Sequence, residues 1–494
     1  MKVMIAYPPL ESDKGVPLLS QNRQFQWFNS PTYIYPMVPA YAATMLENAG
    51  HEVLWEDGIA EELKYPEWLR GVETMAPDVI AMETKTPVVK SHWRIIDDLK
   101  QALPETKVVL MGDHVTALPA ESLQESRADF VLTGGDYDFL LVNLANWMEG
   151  RGEPELEPGI WYRDCGDRGD LKKGDIKSTG KFELDHDLNE LPFIDRELTR
   201  WQLYSEKNGN FKRTPGTYTM IGRDCWWRKG GGCTFCSWTT LYPRWRSRRA
   251  ELLADEIGQL IENYGVKSVF DDTGAFPIGE TLRKFCRLMI ERGYNKEIEF
   301  SCNMRFGALS SEDYKLMKQA GFRMLLFGLE SAQQETLDRI NKNLTVEQIR
   351  DSCRKAKEAC LEPHLTIMLG YPWETREDAF RTFDLARQLF EKGWADTLQA
   401  TIVIPYPGTR LFAECKDGGL LNTLDWDEYD MRRMVMKSEL CEEDVKEITQ
   451  RMYKLFFNPR YVMHRLVKVR SIQDLEFIMR GAGKVLGHIS DFKV

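Results

Sequence analysis

The 494-residue sequence has no run of about 18 consecutive apolar residues, which removes a membrane-crossing helix from the readings open to it. It also has no signal-peptide core, because Met1-Lys2-Val3-Met4-Ile5-Ala6-Tyr7 runs into Pro8-Pro9 before one could form, so a cytoplasmic protein is expected. Positive charge is in short supply. With 65 Lys and Arg against 76 Asp and Glu, the net charge is −11, and no broad positive field exists to displace counterions from phosphates. A specific nucleic-acid partner is therefore not expected. Low-complexity tracts and fixed-period repeats are missing too, which argues against disordered and solenoid architectures. The ten cysteines are scattered through a long chain without a targeting signal, so reduced thiols or metal ligands are the better reading than a disulfide framework.

What is present reads as an α/β protein of three domains and a connector. Residues 1–148 alternate short apolar runs with helical patterns. Strands are expected at Lys2–Tyr7, His51–Trp55, Asp78–Met82, Lys107–Met111 and Phe130–Thr133, and helices at Pro39–Ala49 and Trp93–Leu103. That is the pattern of a doubly wound, Rossmann-like parallel sheet, which puts ligands at the carboxyl ends of its strands. Residues 149–215, rich in turn and charged residues, read as a linker with a short hairpin around Gly159–Tyr162 and Gly180–Leu184. A second series over 216–425 predicts strands near Tyr218–Gly222, Ser268–Asp271, Glu299–Asn303, Met324–Gly328, His364–Leu369 and Thr397–Ile404, fitting a partial (β/α)6 barrel. Residues 426–494 read as mainly helical.

Three cysteines stand apart from the rest. In Arg223-Asp224-Cys225-Trp226-Trp227-Arg228-Lys229-Gly230-Gly231-Gly232-Cys233-Thr234-Phe235-Cys236, seven residues separate the first pair and two the second. A structural zinc site would want four ligands, yet no Cys or His follows Cys236 until Cys286. Three thiolates suit an iron–sulfur cluster with one iron open for chemistry. An incomplete zinc site and three buried thiols are the bland alternatives. The glycine triplet lacks the Gly-Lys-Ser/Thr ending of a phosphate loop and reads as slack that lets Cys225 and Cys233 reach one centre. The other seven cysteines, Cys165, Cys286, Cys302, Cys353, Cys360, Cys415 and Cys441, read as buried apolar residues.

This loop resembles the cluster loop of the radical S-adenosylmethionine superfamily, with Phe235 at the aromatic position between the last two cysteines. The commonest spacing in that superfamily leaves three residues between the first pair, so a longer-spaced subgroup is implied. The resemblance implies a [4Fe-4S] cluster on Cys225, Cys233 and Cys236 and S-adenosylmethionine on its free iron. It further implies that Phe235, Asp272, Asn303, Arg305, Gly328, Glu330, Ser331, Gly370 and Pro405 surround that cofactor. Arg305 would reach its carboxylate and Glu330 its ribose or amino group, for which the arginine fork is apt. The plain alternatives are an Arg305 and Glu330 salt bridge at the barrel mouth, helix capping by Asp271 and Asp272, and ordinary packing by Trp226, Trp227, Trp238 and Trp245.

The first domain resembles the cobalamin-binding domain found upstream of many radical enzymes. The segments that carry the likeness lie on the ligand edge and supply Pro8, Thr84, Lys85, Gly112, His114, Thr116, Gly134, Gly135 and Asp136 as candidate cobalamin contacts. An Asp-x-His-x-x-Gly pattern is absent, since Asp113 and His114 are adjacent, and the resemblance implies cobalamin with no protein ligand on cobalt. Together the likenesses imply an enzyme that methylates an unactivated carbon of a small-molecule, lipid or natural-product substrate, with a flavodoxin- or ferredoxin-type electron donor. A radical cyclase, rearrangement or oxidation enzyme shares every motif. A cobalamin or redox sensor is the reading from another class.

Overall fold

The structure is a computed structural model, and it describes all residues except 18, 20–26, 30–31, 152–154, 165–173, 207, 468 and 492–494, with the backbone alone at 490 and 491. The first sheet contains β1 (Lys2–Tyr7), β2 (Glu52–Asp57), β3 (Val79–Glu83), β4 (Lys107–Met111), β5 (Phe130–Leu132), β6 (Ile160–Asp164) and β7 (Asp175–Ser178), in the order β2-β1-β3-β4-β5-β6-β7. β1 through β5 pair in parallel and β6 and β7 antiparallel. Helices cover the sheet, so β1, β3 and β4 are buried almost throughout and read as continuous apolar runs.

The expected hairpin exists in altered form. Its second strand is Asp175–Ser178, not Gly180–Leu184, and the hairpin extends the first sheet rather than floating in a linker. Asp175–Ser178 is an exposed edge strand without apolar alternation, so its sequence gives no strand signal. Phe182 from the expected strand packs against Gly134 and Gly159 instead.

The second sheet is all parallel: β8 (Gly216–Thr219), β9 (Ser268–Asp271), β10 (Glu299–Met304), β11 (Phe322–Glu330), β12 (Glu362–Leu369) and β13 (Thr397–Ile402), in that order. Three helices that follow its strands, Ser311–Gln319, Val346–Glu358 and Arg376–Glu391, open on capping boxes built by Ser310 with Asp313, Thr345 with Gln348 and Thr375 with Asp378. Each box fixes the chain as it leaves the carboxyl side of the sheet, the side that carries the site.

Tail helices Glu442–Lys454, Pro459–Leu466 and Ile472–Asp491 close the other side. The Tyr453 hydroxyl both donates to the Ala400 carbonyl and accepts from its N–H, covering part of the open edge of β13. Tyr461 donates to the carbonyl of Asp396, just before β13. At the amino ends Arg323 pairs with Glu299 and Glu362, and its guanidinium lies 5.5 Å from the Phe477 ring centroid. Two of the supposed core cysteines are exposed: Cys360, at a helix end with φ 60°, and Cys441, which accepts the Asp444 N–H as a helix cap. Cys286, Cys302, Cys353 and Cys415 are buried, and Cys165 lies outside the described residues. No helix among the described residues is long and apolar enough to cross a membrane.

Candidate active site

The site grows from the exit of β8. Three residues after it, Gly222–Arg223 pair antiparallel with Arg246–Ser247, and Cys225 bridges in parallel to Ala275. Buried Asp271 at the end of β9 organises this exit by accepting from the Thr219 hydroxyl (3.0 Å), the Ile221 N–H (2.9 Å) and the Thr273 N–H (3.2 Å). Burial pushes its carboxyl up to about 6, although these bonds oppose the rise. Asp271 is therefore a brace rather than a helix cap. Asp224 takes a left-handed conformation, φ 82°, and grips Arg228 through both carboxylate oxygens.

The glycine triplet is a fixed turn, not slack. Gly231 and Gly232 have φ of 90° and 70°, values that a side chain disfavours. The Asn341 amide donates to the Gly230 and Gly232 carbonyls, and Arg410 donates to Gly232 as well. Trp227 donates its indole N–H to Asn341, so the loop is tied down on two sides.

Cys225, Cys233 and Cys236 line one cavity of about 140 Å³ together with Phe235, Asp272, Asn303, Arg305, Gly328 and Glu330. Among the described residues no fourth cysteine and no histidine belongs to that wall. Among the described residues no three His, Cys, Asp or Glu side chains are arranged around a single ion. Three thiols spread over a cavity wall suit a polynuclear cluster with one iron left to another ligand.

The charged rim fits the amino-acid end of such a ligand. Arg305 donates to the Lys342 carbonyl, sits 3.9 Å from the Cys233 sulfur, and faces the rings of Trp226 and Trp227 at 5.5 and 4.7 Å. These two tryptophans back the rim arginine, whereas Trp238 packs on Tyr242. Glu330, at φ 60° beyond a register shift in β11, accepts from Lys342 at 2.7 Å. A Cβ at Gly328 would stand 2.2 Å from the Glu330 carboxylate and 2.5 Å from the Lys342 ammonium, so a side chain there would push that pair aside. Cations from Arg305 and Lys342 beside carboxylates from Asp272 and Glu330 can hold a carboxylate and an ammonium group side by side.

Three expected members stand off this wall. Ser331 is buried with its hydroxyl accepting from the Gln333 N–H and facing Thr382. Gly370 donates its N–H to Glu374, and Pro405 lies between the wall residues Ile404 and Tyr406 without joining them. Lys342 and Asp224 were missed by sequence reasoning. Lys342 lies in the loop after a short helix, where only its tertiary pairing with Glu330 distinguishes it.

The nine candidate cobalamin contacts gather at the carboxyl edge of the first sheet but do not line this cavity. Pro8 follows β1 and Lys85 follows β3, both buried. Thr116 donates to the Gly112 carbonyl and accepts from the Gly134 N–H, and the Thr84 carbonyl packs against Gly112. His114 is buried with Nδ1 on the Thr86 hydroxyl and Nε2 on Glu121, so both ring nitrogens are engaged. Gly134 and Gly135 face Phe182 and Tyr242, where a Cβ would come within 2.5 and 1.8 Å. Asp136 faces the second sheet, bound to Arg223, Arg246 and His186. His114 and Asp136 thus have protein partners, and Gly134 and Gly135 lie close under aromatic rings.

Arg223, two residues before Cys225, bonds both Asp136 and Asp138 from within the protein. Burial works against the charge on Asp136, yet Arg223, His186 and Arg246 together hold its carboxyl well below the usual range. The same partners act on His186: burial disfavours its charged ring, but bonds to Asp136 and Glu157 outweigh it and lift the pKa to about 9.

Comparison with known proteins matches this layout. The Radical SAM superfamily pattern matches residues 220–386 and the B12 binding domain pattern residues 28–139. The chain is 25% identical over 461 residues to an uncharacterized methyltransferase, PH0819, of Pyrococcus horikoshii, covering 92% of each chain. It is 24% identical over 439 residues to the anaerobic magnesium-protoporphyrin IX monomethyl ester cyclase of Cereibacter sphaeroides, covering 87% of this chain and 68% of that protein. Its fold is similar to the radical S-adenosylmethionine methyltransferase TsrM from Kitasatospora setae with cobalamin and a [4Fe-4S] cluster bound, at TM-score 0.68, 14% identity and full coverage of both chains. The cobalamin-dependent radical enzyme OxsB also gives TM-score 0.68, at 13% identity, over 99% of this chain and 71% of its own. Barrel, thiol loop and matched patterns make this a radical S-adenosylmethionine enzyme. Within that superfamily, the chain belongs to the family that carries a cobalamin-binding domain, with a [4Fe-4S] cluster, S-adenosylmethionine and cobalamin as its cofactors.

Proposed function

We propose that the enzyme transfers a methyl group to an unactivated carbon of a small molecule. The observation that carries this reading is the buried clamp of Arg223 with Asp136 and Asp138, which seats the cobalamin-type domain directly against the thiol loop. A methyl carrier and a radical source in one reaction need fixed mutual placement. The name of the Pyrococcus horikoshii relative agrees with the reading. We assign residues 1–148, with the two strands added from 149–215, to cobalamin, residues 216–425 to the radical step and 426–494 to closing the barrel floor.

When bound, the cofactors supply one-electron cleavage of S-adenosylmethionine and a transferable methyl group. The chain's own residues hold and orient. Cys225, Cys233 and Cys236 anchor the cluster, Arg305 receives the methionyl carboxylate, and Glu330 with Asp272 receives the ammonium group. Lys342 holds Glu330 in place, and Phe235 with the cavity's other apolar residues keeps water from the reacting carbon. An external flavodoxin- or ferredoxin-type protein delivers the electron.

The test is to incubate reconstituted enzyme, reductant and a candidate substrate with methyl-labelled S-adenosylmethionine. Label in the product supports methylation. Deoxyadenosine without label transfer would remove methylation while leaving the radical step, and the cyclase reading would then stand.

A further inference from the structure

We propose that helices Pro459–Leu466 and Ile472–Asp491 dock the enzyme, barrel floor first, on an anionic membrane surface. Among the described residues, nine of the twelve exposed large apolar side chains fall between Phe457 and Leu486. Their spacing is regular. Val462, Met463, Leu466 and Val467 recur four apart, so they form one stripe along the first helix and the residue that ends it. Ile472, Leu475 and Met479 form a second stripe on the longer helix. Exposure reaches 63% at Met463, 74% at Val467 and 78% at Ile472.

The opposite faces of these helices are already used. Tyr461 is buried with its hydroxyl on the Asp396 carbonyl, Val485 is buried in the core, and Arg465 and Asp474 pair with Asp396 and Lys212. Each helix is therefore apolar on two sides, and packing within the chain explains only one of them. Exposed apolar stripes of this extent mark an interaction surface.

Charge selects the occupant. Residues 459–494 carry seven Lys and Arg against three Asp and Glu, in a chain whose net charge is −11. Arg460 and Arg470 are exposed near the two ends of the first stripe. Anionic headgroups would attract this end and repel the remainder, giving a single orientation. A second copy related by two-fold symmetry would instead set two positive faces together. Since no described helix can span a bilayer, the fitting arrangement is a pair of helices lying in the headgroup layer. The strand-carboxyl side, with the thiol cavity, then faces away from the lipid.

The experiment is anaerobic sedimentation of the full-length holoenzyme with vesicles of phosphatidylcholine alone or with one quarter phosphatidylglycerol. The anionic vesicles should pellet the enzyme, neutral ones should not, and 0.5 M salt should weaken the association. A Met463→Glu, Val467→Glu double variant should bind at least tenfold less, with iron content and deoxyadenosine formation unchanged. A separate Arg460→Glu, Arg470→Glu variant should lose the preference for phosphatidylglycerol. No binding to either vesicle, or equal binding to both, overturns the proposal. So does a dimer in sedimentation velocity that the Met463→Glu, Val467→Glu pair dissociates, since a second copy then covers the face.

Discussion

Arg223 and Asp138 meet across the boundary between the two sheets, with both terminal guanidinium nitrogens on the carboxylate and both side chains buried. Arg223 also donates to the Gly135 carbonyl, and Tyr242, beyond the last cluster cysteine, donates to the same oxygen. The first domain thus holds the cysteine loop from both of its ends.

Asp138→Asn should destabilise the protein by about 3–5 kcal/mol, because it leaves the Arg223 charge buried without its main partner. Urea unfolding followed by tryptophan fluorescence would give the value, and reconstituted iron per chain should fall with it. A variant with unchanged unfolding midpoint and full iron would show that the clamp is dispensable.

Alanine at Cys225, Cys233 or Cys236 should each remove most of the iron and all deoxyadenosine formation. Cys360→Ala and Cys441→Ala, at exposed positions remote in sequence from the loop, should leave both unchanged. Iron assay and the visible spectrum of anaerobic protein distinguish the two sets.

Gly328→Ala should weaken S-adenosylmethionine binding roughly 10- to 100-fold, the effect of about 1.5–3 kcal/mol for disturbing a charge-assisted hydrogen bond. Its Cβ would displace the Glu330 and Lys342 pair. Lys342→Met should act in the same direction. Equilibrium dialysis against the labelled cofactor measures both, and tight binding by both variants would show that this rim does not face the ligand.

His186 makes the domain contact sensitive to pH. Its folded-state pKa is raised, to about 9, so the stability it adds is complete below its unfolded value near 6.5 and fades as pH rises toward 9. The melting temperature of the wild-type protein minus that of His186→Asn should therefore shrink between pH 6.5 and 9.5. A constant difference would show that the ring stays neutral throughout.

The sequence made the parallel strands and the cysteine loop legible because both are local: an apolar run of the right length, and a spacing of thiols within fourteen residues. Lys107–Met111 and Ser268–Asp271 were read to the residue. Asp271, Lys342 and Arg223 were not legible in their roles, since each acts through a partner a dozen or more residues away. Ser331, Gly370 and Pro405 illustrate the converse. A family motif places the backbone at a strand end, but which groups turn into the cavity depends on the neighbours: the Ser331 hydroxyl faces Thr382, and the Gly370 N–H donates to Glu374.

The sealed amino side of the barrel governs traffic. Among the described residues, Arg323, its two glutamates and the tail helices shut that end and leave cargo the far rim both to arrive by and to leave by. Entry and departure then compete for one doorway, so spent nucleoside must clear before the next turnover can load, and an inhibitor lodged at the rim would trap whatever lies beneath it.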